Sequence, residues 1–366
     1  MKLYHIIGLS TAALLSLGAL GLMTQAESIE YNTDYRIETL SGDISYLDNI
    51  QLENIAKTGT NTFSKVTLTN QKTTLKPTQY DLYHGVGEEV LDNRELYRNL
   101  TWPATLETDQ YLITANFNLS YYYTNTDPIL RIRSKDKQIN TINNQEFMLE
   151  NFEYGDNVLQ EYLTEINGNY YYLVHFFNNQ AYTNEGIIIY QFNPQTLQMN
   201  YKSKQTFDSA TVTINDEFIY ILSHESNQLN ITNIKSNQTT TYTIEGLSEY
   251  PYLETAINVK NKLLLMVNSD LYQVELNNET NQATASLVTP PNFIQLLRDE
   301  YDYYYPYNIV ETNGLIYQLY YARKNNTDYQ YLSVMNPSTN EFIYEGRIIL
   351  RSDQGLVNNY LLKTLD

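Results

Sequence analysis

The chain has 366 residues, with 42 acidic against 23 basic side chains, a formal net charge of −19 and no cysteine. The absence of cysteine excludes disulfides, thiolate metal sites, cysteine nucleophiles and a lipoprotein anchor, which is attached at a cysteine. A surface this acidic repels phosphate, and nucleic-acid binding draws its affinity from Lys and Arg, so a nucleic-acid partner is excluded and the charge instead keeps the protein soluble.

Residues 1–26 read as a signal peptide or an uncleaved membrane anchor. Met1-Lys2-Leu3-Tyr4-His5 is a short basic start, Ile6–Met23 carries no charge, and Thr24-Gln25-Ala26 offers small residues before Glu27, the expected mature start. The uncharged run lies near the lower end of the ~17–25 residues that span a bilayer, so cleavage and retention both stay open. Residues 27–366 are then expected to form an extracytoplasmic domain that meets a membrane only through the leader, if it is retained. An exported chain without disulfides suits a bacterial cell surface.

Beyond the leader, repeats of one grammar follow. A first begins near Asp109-Gln110, with strands expected over Tyr111–Asn118 and Ile129–Arg133. Four fuller repeats open with turns at Asn167-Gly168-Asn169, Asn215-Asp216, Lys260-Asn261 and Asn313-Gly314. Each continues through three strands, the last two joined by a polar turn: Asn193-Pro194-Gln195-Thr196, Ser236-Asn237-Gln238-Thr239, Asn277-Asn278-Glu279-Thr280 and Asn336-Pro337-Ser338-Thr339. Asn and Gly tolerate positive φ and Pro fixes φ, so these pairs make turns. The strands between them are rich in Tyr, Ile, Val, Leu and Thr, which suit a pleated, partly buried surface. The openings at 167, 215, 260 and 313 stand 48, 45 and 53 residues apart, bracketing the length of a propeller blade. Residues 27–108 leave room for one or two further blades. The expected fold is all-β, a β-propeller of about six or seven blades, with one short helix near Phe293–Asp302.

This grammar of Asn-Gly or Asn-Asp before Tyr- and Ile-rich strands, with Asn-Pro-x-Thr turns, resembles the divergent secreted β-propellers of Gram-positive bacteria. Ser41-Gly42-Asp43 followed by Leu47-Asp48 is similar to the opening of uncharacterised exported proteins of that group. The resemblance implies a fold and a compartment, and it transfers no active residue.

Of the three histidines beyond the leader, His84, His175 and His224, the latter two stand 8 and 9 residues after their opening turns. An offset of one puts strand side chains on opposite faces, so a shared metal site is not expected. Neither a metalloprotease HExxH nor a calcium loop nor a G-x-S-x-G elbow is present. No cofactor and no metal are expected. The acidic spots Gly85–Glu89 and Asp299–Asp302 read as solvated loops, and the sequons at Asn99, Asn118, Asn230, Asn237 and Asn278 read as unmodified.

The 36 tyrosines are more informative, with runs at Tyr121–Tyr123, Tyr170–Tyr172 and Tyr301–Tyr307. Tyrosine serves both strand packing and wet interfaces. The segment Asp299–Tyr307 lies in the long connection between two repeats and is expected to be a loop, where binding residues concentrate. Asp299, Tyr301, Asp302, Tyr303, Tyr304 and Tyr305 are therefore the candidate binding residues. The expected function is a noncatalytic extracytoplasmic interaction module for a membrane or exported partner protein. A carbohydrate or cell-wall-fragment binder is the alternative, and an exported hydrolase stands behind both.

Overall fold

A computed structural model describes residues 35–364 apart from 58–62, 71, 79–91, 99, 101–102, 118–128, 150, 153–155, 179–184, 216, 261 and 350–360. The leader, His84, Gly85–Glu89 and Tyr121–Tyr123 lie outside the described residues.

In chain order the elements begin with β1 (Arg36–Gly42), a single 3-10 turn (Ile44–Leu47), β2 (Ile50–Lys57), β3 (Phe63–Leu68), β4 (Thr73–Thr78) and helix α1 (Arg94–Tyr97). Four meanders follow: β5 (Ala104–Glu107), β6 (Tyr111–Phe117), β7 (Ile129–Asp136), β8 (Thr141–Met148); β9 (Asp156–Ile166), β10 (Asn169–Asn178), β11 (Glu185–Phe192), β12 (Met199–Phe207); β13 (Ala210–Ile214), β14 (Phe218–Ser223), β15 (Gln228–Asn233), β16 (Gln238–Glu245); and β17 (Leu253–Val259), β18 (Lys262–Val267), β19 (Asp270–Asn277), β20 (Gln282–Leu287). Helix α2 (Asn292–Glu300) leads into β21 (Tyr303–Thr312), β22 (Leu315–Lys324), β23 (Thr327–Asn336) and β24 (Glu341–Ile349), and β25 (Leu361–Thr364) ends the described chain.

These strands make six four-stranded antiparallel meanders in a propeller-like arrangement. Two of the six share one eight-stranded sheet, because Thr243–Glu245 of β16 pair in parallel with Gln282–Thr284 of β20. The first strands of successive units meet: β5 lies against β9, β13 against β17 and β21 against β25. The ring is closed from both ends of the described chain. β25 supplies the first strand of the first unit, in the order β25-β2-β3-β4, while β1 adds a fifth strand outside β24. Among the described residues the strands fall into four sheets of four or five strands and one of eight that joins two units.

In the third to sixth units the middle strands are apolar on both faces because each unit is packed on both sides. Along β10 and β11, Tyr172, Val174, Phe176, Ile188 and Tyr190 pack with Ile113, Leu130 and Ile132 of the second unit. The alternate residues Tyr171, Leu173, Ile187 and Ile189 pack with Ile219 and Ile221 of the fourth. One strand thus feeds two cores with period two. None of the apolar clusters of the described residues spans the first and second units.

The repeat has a physical signature. In five units the turn between third and fourth strands opens with an Asx side chain that accepts a hydrogen bond from the backbone two or three residues on: Asp136 from Gln138 (2.9 Å), Asn193 from Gln195 (2.8 Å), Asn233 from Ser236 (2.8 Å), Asn277 from Glu279 (3.0 Å) and Asn336 from Ser338 (2.9 Å). Four residues after each stands a positive-φ residue: Asn140, Leu197, Asn237, Asn281 and Asn340. Asn leads at these positions because its side chain mimics a backbone turn and tolerates the left-handed region.

Two expectations are corrected. The strands read as first in each repeat are second, since β9, β13, β17 and β21 precede the opening turns. Their sequences interleave polar with apolar residues, as in ATVTI and LETAINV, and so present no long apolar run. Nor is Asp299–Tyr307 a loop: α2 runs to Glu300 and β21 begins at Tyr303, pairing with β22 alone among the described residues. Pro306 is tolerated there because β21 is an edge strand with a bulge beside it. The short helix expected near Phe293–Asp302 is α2.

Candidate functional site: a tyrosine rim on the last blade

Strand alternation divides the six candidate residues. Tyr303 and Tyr305 project from one face of β21 and are 45% and 39% exposed. Their rings are parallel to within 4°, with centroids 6.5 Å apart. Tyr321 of β22 backs both, at 5.9 Å from Tyr303 and 5.3 Å from Tyr305. The register explains it, for Tyr305 pairs with Tyr321 and Tyr303 with Arg323.

Polar groups hold this platform. Arg323 donates from Nη1 to the Tyr303 hydroxyl (3.4 Å) and from Nη2 to Asn326 Oδ1 (2.7 Å), and its Nε stands 3.5 Å from Asp328. The Tyr321 hydroxyl donates to the same Asp328 carboxylate. The hydrogen bond from Arg323, reinforced by Tyr321, draws the Tyr303 phenol below its ordinary value. Burial, then Asp328 and Tyr303, push Tyr321 upward.

The other candidates serve the scaffold. Tyr304 accepts from Arg298 Nε (2.9 Å), which also pairs with Asp270 (2.7 Å), and its ring packs against a cluster of Phe293, Ile294, Leu297, Tyr320 and Tyr331. Tyr301 shares a hydroxyl contact with Tyr331 (2.7 Å), meets Tyr329 edge-on and lies under the Lys324 ammonium. Asp302 accepts from the Asn325 backbone (3.0 Å) and steadies the β22–β23 turn. Asp299 sits on α2, held by Gln295 (3.0 Å).

Tyr321, Arg323 and Asp328 escaped the sequence reading. With β21 recognised as a strand, hairpin pairing across Asn313-Gly314 places them opposite the tyrosines. Further exposed rings occur where the fifth unit begins: Tyr250 is 78% and Tyr252 57% exposed, just before β17, at the corresponding end of its blade.

The histidines do not form a site. His175, in β10, lies 3.4 Å from Glu185 and beside Phe207; burial pushes its imidazole down and Glu185 pulls it up. His224 follows β14 in a turn, with Nε2 buried and unpaired among the described residues. Among the described residues no group of three or more His, Asp or Glu side chains could hold a metal ion, and no helix is long and apolar enough to cross a membrane.

No family model matches the chain, and no curated protein does. Solved structures with some likeness include YjhT, at 8% identity and TM-score 0.42, covering 84% of this chain and 98% of that one. One from a study of two prolyl endopeptidases, at 10% and 0.44, covers 83% of this chain and 43% of that one. One from a nidogen/laminin complex, at 5% and 0.39, covers 87% of this chain and 98% of that one. Scores this low carry neither fold nor activity across; the architecture rests on strand order and closure.

Proposed function

We propose that this protein is a noncatalytic recognition module that works outside the cytoplasm, secreted or held by its N-terminal segment, and that it docks a membrane or exported partner protein through the tyrosine rim. The observation that carries the reading is the exposed, parallel pair Tyr303 and Tyr305, backed by Tyr321 and pinned by Arg323. Rings already held in place lose little rotamer freedom on binding, and tyrosine combines apolar area with a hydroxyl for a wet contact.

The ring geometry also favours a second reading. Parallel aromatic faces flanked by Arg323, Asn326 and Asp328 suit a sugar ring, stacked on tyrosine and hydrogen-bonded by planar polar groups, as a carbohydrate or cell-wall-fragment binder requires. A pull-down from solubilised membranes and a glycan array, each run with the wild type and with Tyr303→Ala/Tyr305→Ala, separate the readings. Specific capture lost in the variant supports the rim in either assay, and binding unchanged by the substitutions overturns it.

A further inference from the structure

We infer that the corner of the fifth and sixth units carrying Tyr250, Tyr252, Tyr303 and Tyr305 rests on a zwitterionic phospholipid surface, that of the bilayer holding the N-terminal segment. The inference rests on the reading of residues 1–26 as a retained anchor, and it gives the domain a second contact with the membrane and a fixed face toward it.

Tyr250 is the centre of this corner. It is 78% exposed and stands at φ 52 immediately before Pro251. The left-handed region is costly for a side chain of this size, and a residue preceding proline is pushed toward extended backbone. Asn takes most positive-φ positions among the described residues, and Tyr250 is the one aromatic residue found there. Backbone strain of this kind collects at contact sites. Two residues on, Tyr252 is 57% exposed, with its backbone N–H bonded to Asn268 Oδ1 (3.1 Å). The turn that Asn268 opens leads into Asp270, which pairs with Arg298 (2.7 Å), and Arg298 donates to the Tyr304 hydroxyl (2.9 Å). A line of contacts therefore joins Tyr252 to the strand that carries the rim.

The N-terminal segment joins the domain on the same row of the sheet. Ile37 of β1 pairs with Ile348, Ile348 with Gln330, Gln330 with Tyr321 and Tyr321 with Tyr305. Four strand spacings, ~19 Å, separate Ile37 from Tyr305. Between the uncharged run Ile6–Met23 and Tyr35 the sequence has eleven residues, a reach of at most ~40 Å. A bilayer holding that run is therefore within range of these rings. Tyrosine suits the headgroup level, with its ring at the acyl boundary and its hydroxyl in water. The formal charge of −19 disfavours anionic lipid, and cations of this corner are already paired, Arg298 with Asp270 and Lys324 with Glu300. Rings rather than charge make the contact, which selects zwitterionic headgroups.

A chain without cysteine can be labelled at one chosen position. The full chain with Tyr250→Cys, or with Ile139→Cys, carries an environment-sensitive dye and is reconstituted into phosphatidylcholine vesicles with and without a headgroup nitroxide. Ile139 is the control, 68% exposed in the turn between β7 and β8 of the second unit. At the ~5–10 Å depth of an interfacial contact, the label at position 250 should lose about half of its emission to the nitroxide, and the label at 139 almost none. Equal quenching at the two positions, or none at 250 in protein that floats with the vesicles, overturns the contact and leaves the anchor standing. Protein that does not float overturns both. Neither labelled position belongs to the Tyr303 and Tyr305 pair, so either failure leaves partner capture by the rim to its own assay.

Discussion

Glu345, on β24, caps helix α2 from 53 residues away: its Oε1 accepts from both the backbone N–H (3.0 Å) and the side-chain amide (2.8 Å) of Asn292. The Phe293 N–H reaches Oε2 at 3.3 Å. Pro291, at the N-cap position, supplies no side-chain cap, so a carboxylate 3% exposed takes over the free amides and meets the positive end of the helix dipole. Glu345→Ala should cost ~1–3 kcal/mol, since it leaves the buried Phe293 amide without its acceptor and uncaps the helix. Urea melts measure the loss, and a change below ~0.5 kcal/mol would mean that water caps the helix equally well.

Closure of the ring rests partly on charge. Glu53 of β2 pairs with Lys65 of β3 at 2.6 Å and Lys363 of β25 at 2.8 Å. Burial pushes the Glu53 carboxyl up, but hydrogen bonds and charge from Lys363 and Lys65 outweigh it and leave the group below its ordinary value of 4.5. A lowered folded pKa gives stability that is present above the unfolded value and lost as pH falls through the folded one. Glu53→Gln should therefore cost about 1–2 kcal/mol at pH 7, discounted for the half-exposed lysines, and the cost should vanish in acid. Equal losses at pH 7 and pH 3 would show that the role is packing.

Glu161 of β9 has the opposite sign. Burial raises its carboxyl to about 7, against the hydrogen bonds from Tyr172 and the Phe117 backbone. With a folded value above the unfolded 4.5, stability is fully present below 4.5 and lost as pH rises through 7. The wild type should lose ~2–3 kcal/mol between about pH 5 and 8 from this group, at ~1.4 kcal/mol per pKa unit. Glu161→Gln should flatten that slope in melts across the same range; an unchanged slope assigns it to another group.

Tyr303→Ala/Tyr305→Ala should weaken ligand binding while moving the melting temperature little, because both rings are exposed. Tyr304→Ala should do the reverse in part, losing ~2–4 kcal/mol by opening the cluster around Phe293 and Tyr331. Calorimetry on both variants decides it, and a stable Tyr304→Ala protein would remove that ring from the core.

Much of the architecture is local and so was legible along the chain. Asn193, Asn277 and Asn336 mark turns because their side chains bond backbone amides two or three residues away, and Asn167-Gly168 and Asn313-Gly314 adopt positive φ without help from distant residues. The apolar middle strands announce themselves for a similar reason, since burial on both faces demands an unbroken run such as Tyr171–Val174.

The tertiary structure alone decided what depends on pairing. β21 is polar, contains Pro306 and lies on an edge, so only its register with β22 makes Tyr303 and Tyr305 neighbours of Tyr321 and Arg323 and turns Tyr304 inward. Glu345 reaches Asn292, and Glu53 reaches Lys363, across separations no pattern records. By itself the sequence determined a cysteine-free, acidic chain of Asx-punctuated strands. Which charges and rings meet was decided by ring closure, because a propeller's contacts lie between blades and strand alternation sets only which face each side chain occupies.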